Sequence, residues 1–135
     1  MRKKVLVVED DREVLELLRF NLKKAGFSVG TAGDGVEALK KSRSLLPDVI
    51  LLDVMIPELD GFAVCEILRR HSDTARVPII MITALSGEMA RFTGLSAGAS
   101  AYINKPFSPR QVISCVEKVL IDHSNKTAYV RTNQS

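Results

Sequence analysis

The chain has 135 residues, 46% of them hydrophobic, the length and apolar content of one ordinary domain, so a two-domain arrangement is not expected within it. No run approaches the roughly 20 apolar residues of a membrane span, and Met1-Arg2-Lys3-Lys4 leads into a short apolar segment without a small-residue cleavage site, so a cytoplasmic protein with no membrane contact is expected. Cys65 and Cys115 have neither a C-x-x-C spacing nor a histidine cluster nearby, so neither a disulfide framework nor a zinc site is expected, and the net charge of +3 is spread over Lys23-Lys24, Lys40-Lys41 and Arg69-Arg70 at helix ends, so direct nucleic-acid binding is not expected.

In chain order, Val5 to Val8 is an apolar run that reads as a strand buried on both faces. Val14, Leu15, Leu17, Leu18, Leu22 and Ala25 follow at helical spacing, with Asp11 placed to cap the start and Gly26 to close the end. Phe27 to Thr31 predicts a second, less apolar strand at an edge or with one solvated face. Asp34 with Glu37 resembles a capping box before the second helix. Val49 to Leu52, Ile79 to Ile82 and the weaker Ala101-Tyr102-Ile103 predict three further strands, and Ser108, Pro109 and Gln111 open the last helix. Strand and helix alternate five times, the pattern of a (βα)5 α/β domain: a parallel sheet doubly wound by helices into three layers. The domain is expected over residues 1–122, and the polar stretch 123–135 is expected to be a disordered tail.

Ligands of an open parallel sheet bind beyond the carboxyl ends of its strands. There the first run ends in Glu9-Asp10-Asp11, the third in Asp53, the fourth in Thr83-Ala84 and the fifth in Asn104-Lys105-Pro106. Carboxylates converging on one rim repel one another, and an all-oxygen donor set with open positions suits Mg²⁺, or Mn²⁺, rather than zinc. A carboxylate is also a competent nucleophile toward phosphorus if the charge on the transferring group is neutralised. Mg²⁺ on Asp10 and Asp53, Lys105, and the Thr83 hydroxyl with the Ala84 N–H could each hold one phosphoryl oxygen.

With these residues in view, the chain over roughly residues 3 to 122 resembles the receiver domain of bacterial two-component response regulators. The resemblance is carried by Val7-Val8-Glu9-Asp10, by Leu51-Leu52-Asp53-Val54-Met55-Ile56-Pro57 with Asp60-Gly61, by Ile82-Thr83-Ala84, and by Ala97-Gly98-Ala99 followed by Tyr102 and Lys105-Pro106-Phe107. It implies a flavodoxin-like strand order 2-1-3-4-5 and Asp53 as the phosphoacceptor. Asp10 would be a direct metal ligand, Glu9 an acid acting through metal-bound water, and the Met55 carbonyl a further ligand. Thr83 and Tyr102 would form a switch pair, Lys105 a phosphate clamp, and Lys105-Pro106 a cis peptide. Phosphate on Asp53 would draw Thr83 inward, with Tyr102 rotating into the space left. The implied partners are a sensor histidine kinase or phosphotransfer protein and a downstream protein target, and the only reactions catalysed are the domain's own phosphorylation and slow dephosphorylation.

Other functions are weighed by single positions. A haloacid-dehalogenase-type phosphatase needs an acid two residues after the nucleophile, where this chain has Met55. A flavin-binding module needs a phosphate-cradling loop after the first strand, where Glu9-Asp10-Asp11 would repel a phosphate not bridged by metal; an unphosphorylated scaffold would have no use for the full acid, threonine and lysine set. Met55 and Leu85, at positions that tune dephosphorylation in such domains, cannot hydrogen-bond an attacking water, so a long-lived phosphoryl group is expected. Ser100-Ala101 replaces the acids that receivers of the winged-helix type carry after Ala-Gly-Ala, which weakens the expectation of their salt-bridged dimer. A free-standing receiver, monomeric or dimerising on phosphorylation, is the preferred form, and a receiver cut from a longer DNA-binding regulator is the alternative.

Overall fold

The computed structural model describes the backbone of residues 2–133 and the side chains of 2–125. Its elements run β1 (Lys4–Val8), α1 (Arg12–Lys24), β2 (Ser28–Ala32), α2 (Gly35–Leu45), β3 (Val49–Leu52), α3 (Gly61–Arg70), β4 (Ile79–Thr83), α4 (Glu88–Ala97), β5 (Ala101–Asn104) and α5 (Pro109–Asn133). All pairings are parallel and the strand order is β2-β1-β3-β4-β5, as expected for a flavodoxin-like doubly wound domain. β2 occupies an edge, which is why its side chains are only partly buried, whereas every residue of β3 and β4 is buried.

Alternation along each strand divides the core in two. Leu6, Val8, Ile50, Leu52, Ile79 and Met81 face one way, against Ala38 of α2, Val64, Cys65 and Leu68 of α3, and Ala97 of α4. Val5, Val7, Val49, Leu51, Ile80 and Ile82 face the other way, against Leu18 and Leu22 of α1 and Val112 and Val116 of α5. Each fully buried Leu or Ile contributes on the order of 2 kcal/mol. Both layers are therefore tied to the same strands, and the strand ends are held in fixed register.

Strand bounds differ by one residue from the sequence reading, β1 beginning at Lys4, β2 running from Ser28 to Ala32, β4 ending at Thr83 and β5 at Asn104, and α5 runs to Asn133 where a disordered tail was expected from His123. No glycine or proline follows Pro109, so the chain lacks the residues that commonly stop a helix, and polar composition alone does not end one. Gln134 and Ser135, the end of that expected tail, lie outside the described residues.

Candidate functional site

The sheet delivers the rim residues by continuing its ladder one step past each strand. Glu9 N–H donates to Ala32 O at 3.0 Å, Asp53 N–H to Val8 O at 3.1 Å, and Lys105 N–H to Thr83 O at 2.9 Å. Residues far apart in sequence are thereby fixed at the carboxyl edge of neighbouring strands. The chain beyond Asp53 is held by α3: Gly61 N–H donates to Val54 O at 2.8 Å, and a Cβ on Gly61 would stand 2.6 Å from both Asp53 O and Val54 Cα. Only glycine permits the first turn of α3 to lie so close behind the aspartate.

Glu9 and Asp53 are buried, at 3% and 5% exposure, while Asp10 is exposed at the mouth. Carboxylate oxygens of these three residues lie within 4.8 Å of one another. Lys105 Nζ donates to Glu9 Oε1 at 2.6 Å and to Asp53 Oδ2 at 2.9 Å. The remaining oxygens are also used: Glu9 Oε2 accepts from Asp11 N–H at 3.1 Å, and Asp53 Oδ1 from Met55 N–H at 3.0 Å. Burial pushes the Glu9 carboxyl above its ordinary value of 4.5, against the lowering effect of its hydrogen bond to Lys105. Burial pulls the Lys105 ammonium down, but its hydrogen bonds to Glu9 and Asp53 outweigh that and leave it raised.

The oxygen set fits a hard divalent cation. At a separation of 4.8 Å, two carboxylates repel by about 3 kcal/mol at an effective dielectric near 20. The single Lys105 charge stands against the charges of Glu9, Asp10 and Asp53. Oxygen donors at a half-open mouth leave room for water and substrate oxygens, as Mg²⁺ coordination requires.

Thr83 is fully buried at the end of β4, and its Oγ1 accepts from Leu85 N–H at 3.2 Å. Ala84 follows it, exposed, on the rim. Tyr102 lies one step from this group: its hydroxyl donates to Leu85 O at 2.6 Å, and that carbonyl also accepts from Asn104 Nδ2 at 2.9 Å. The sequence reading has Tyr102 turn inward in response to phosphate, but in the unmodified chain the ring is already inward at 8% exposure. An acceptor and a space are both present for it. Burial, and secondarily the charge of Asp53, raise its phenol above the ordinary value of 10.0. The Lys105-Pro106 peptide is cis.

Glu9, Asp10, Asp53 and Lys105 thus form one cluster, and Thr83, Leu85, Tyr102 and Asn104 a second one linked through backbone. The sequence reading names Asn104 at the end of the fifth run without a role; its place beside Lys105 on the rim is the signal that points to it, and its pairing opposite Thr83 is visible only in the structure. Ser100 is bound within the sheet, its N–H donating to Ile79 O at 2.7 Å and its Oγ accepting from Ile79 N–H at 3.2 Å.

Residues 5–117 match the family model described as the response regulator receiver domain. The chain is 48% identical over 120 residues to the alkaline phosphatase synthesis transcriptional regulatory protein PhoP of Bacillus subtilis (strain 168), covering 89% of this chain and 49% of that one. It thus spans about half the length of the curated relatives it matches. Among solved structures it is similar to the chemotaxis response regulator CheY4 of Vibrio cholerae, with a TM-score of 0.84, 33% identity, and coverage of 88% of this chain and 99% of that one. A CheY-like response regulator receiver domain protein from Methanospirillum hungatei JF-1 aligns with a TM-score of 0.87 at 26% identity, over 93% of this chain and 99% of the other. With strand order, acidic rim and sequence match in agreement, the chain belongs to the response regulator receiver domain family.

Proposed function

We propose that this domain, over residues 1–122, is a phosphorylation switch in which Asp53 accepts a phosphoryl group from a sensor histidine kinase or phosphotransfer protein. The observation that carries the reading is the position of Lys105 Nζ between the buried Asp53 and Glu9 carboxylates, beside the exposed Asp10. An Asp53 oxygen attacks phosphorus, the P–N bond of a phosphohistidine donor breaks, and the imidazole leaves with its electron pair. Asp53 is left as an acyl phosphate. Glu9, Asp10, Asp53 and the Met55 carbonyl would hold Mg²⁺, or Mn²⁺, which when bound neutralises charge on the transferring group. Lys105 moves its hydrogen bond from the Asp53 carboxylate to a phosphoryl oxygen, and the Thr83 hydroxyl and Ala84 N–H donate to another.

Thr83 and Tyr102 are read as the switch. Leu85 bonds Thr83 through its N–H and Tyr102 through its carbonyl, so a turn of the Thr83 hydroxyl toward phosphate reaches Tyr102 through one residue. Because Tyr102 is already inward, phosphorylation would stabilise an arrangement the free domain populates, a shift in occupancy rather than a new fold. The face of α4, β5 and α5 would then meet a protein target.

The domain acts in the cytoplasm and turns over no separate substrate, since the apolar Met55 offers no acid for a leaving group. For the same reason, and because Leu85 cannot direct a water either, the phosphoryl group is retained for minutes to hours at neutral pH; a half-life of seconds would overturn this. Output through a free-standing domain, monomeric or dimerising when phosphorylated, is one form. The similarity to a transcriptional regulator twice its length supports the other, a receiver that governs a DNA-binding partner domain. Incubation with acetyl phosphate and Mg²⁺, with Asp53→Asn as control, tests the core of the reading. Labelling of the wild type alone supports it, and an unlabelled wild type defeats it.

A further inference from the structure

We infer that Gly94, in the middle of α4, is the positioning residue that keeps Tyr102 inward, and so sets how far the unphosphorylated domain occupies that arrangement. A glycine inside a helix costs stability relative to alanine, so its presence at a buried position needs a packing reason. Here the reason is a side chain from the neighbouring strand. A Cβ on Gly94 would stand 2.9 Å from Tyr102 Cδ2, 3.1 Å from Tyr102 Cε2 and 2.9 Å from Met81 Sδ. The methionine end is flexible and can yield. The tyrosine ring is rigid and its hydroxyl is tied to Leu85 O, so its escape from a larger residue 94 is rotation out of the core.

The absent Cβ of Gly94 is therefore the floor of the seat, and the Leu85 carbonyl is its far end. Asn104 holds that carbonyl from β5 in the unphosphorylated domain, its Nδ2 donating to Leu85 O at 2.9 Å. Alanine at position 94 would remove the seat and leave the acidic cluster at Asp53 as it is. The consequence for signalling rests on Tyr102 being part of the switch; the position of the ring does not.

The chain contains two tyrosines, which makes 3-fluorotyrosine labelling and fluorine NMR direct, with Tyr102→Phe assigning the Tyr102 signal. In unphosphorylated protein, Gly94→Ala is expected to lower the inward-to-outward ratio of Tyr102 by about tenfold, the usual effect of overfilling a packed site. An unchanged Tyr102 signal overturns the inference. In a Tyr102→Ala background the added methyl takes up the ring's space, so Gly94→Ala should leave the urea midpoint unchanged or raise it; a loss as large as in the wild-type background overturns it too. The wild type supplies a measurement that needs no variant: Overhauser contacts between the Tyr102 ring and the Gly94 Hα protons are expected, and their absence overturns the seat even if Gly94→Ala does not fold. Acetyl phosphate labelling of the same samples separates the two readings. An unlabelled wild type with Tyr102 displaced by Gly94→Ala would refute the phosphoacceptor and leave the seat standing.

Discussion

Four helices of this domain begin under a side-chain cap and one does not. Asp11 Oδ1 accepts from Glu13 and Val14 N–H at the start of α1, Asp34 Oδ1 from Glu37 N–H at α2, Asp60 Oδ1 from Ala63 N–H at α3, and Ser108 Oγ from Gln111 N–H at α5. α4 begins at Gly87, which has no side chain to offer. It also carries Met89 and Phe92, at 77% and 68% the most exposed large apolar side chains among the described residues, with Phe20 of α1 next at 66%. The half of the rim that holds Glu9, Asp10 and Asp53 is thus built from capped helices and buried strands. The half beside Thr83 and Tyr102 abuts the one helix whose first turn is held by packing and backbone alone. Reactive groups need fixed geometry and a switch needs a movable element, and the caps separate the two.

The fixed half should break hardest. Gly61→Ala places a Cβ 2.6 Å from backbone atoms of Asp53 and Val54, which cannot swing aside as a side chain can. A loss of about 3 kcal/mol in urea unfolding is expected. A loss below about 1 kcal/mol would show that α3 slides freely and that the Asp53 loop is softer than its packing indicates.

Lys105→Met tests the electrostatic part of the same half. It leaves buried Glu9 and Asp53 facing each other without their shared cation, and because Lys105 is itself partly solvated the expected cost in metal-free buffer is about 2 kcal/mol. Mg²⁺ should recover much of that by binding the folded state. Equal losses with and without Mg²⁺ would show that Lys105 acts by packing.

Glu9 provides a pH-dependent check of smaller size. Its folded carboxyl titrates above 4.5, so from that pH up to its folded value the native protein holds more of this proton than the unfolded chain does. Stability in metal-free buffer therefore carries a component that is present below pH 4.5 and declines as the pH rises through the folded value. Glu9→Gln should remove that decline. A slope identical to that of the wild type would place its origin elsewhere.

Much of this was legible in the sequence because it depended on short-range pattern. β3 and β4 are buried along their whole length and read as uninterrupted apolar runs, β2 reads as weaker because it lies at the edge, and Asp34 and Asp11 announce their helices by spacing. The convergence of Glu9, Asp10, Asp53 and Lys105 follows once the strands are parallel, since strand ends then share one rim. What was not legible depends on space between elements. The inward Tyr102 needs Gly94 on another element to leave room, and the bridging by Lys105 needs two carboxylates at hydrogen-bonding distance. The length of α5 escaped for the opposite reason: its polar end is equally compatible with a solvated helix and with a loose tail, and no stop residue decided between them.

The smallest expected effect bears on the caps themselves. Asp60→Ala removes the acceptor for Ala63 N–H at 2.9 Å and should cost about 1 kcal/mol, near the central value for such caps. The more informative readout is local. Amides in the first turn of a helix exchange through openings that need not unfold the rest, so capped α3 should be protected there and uncapped α4 should not. In Asp60→Ala the Ala63 amide should exchange at a rate approaching that of the Met89 and Ala90 amides of α4, while those of α1 stay as they were. If Ala63 remains protected, packing of Gly61 against Val54 rather than the cap fixes α3, and the contrast between the two halves of the rim would then lie in how closely each helix approaches the sheet.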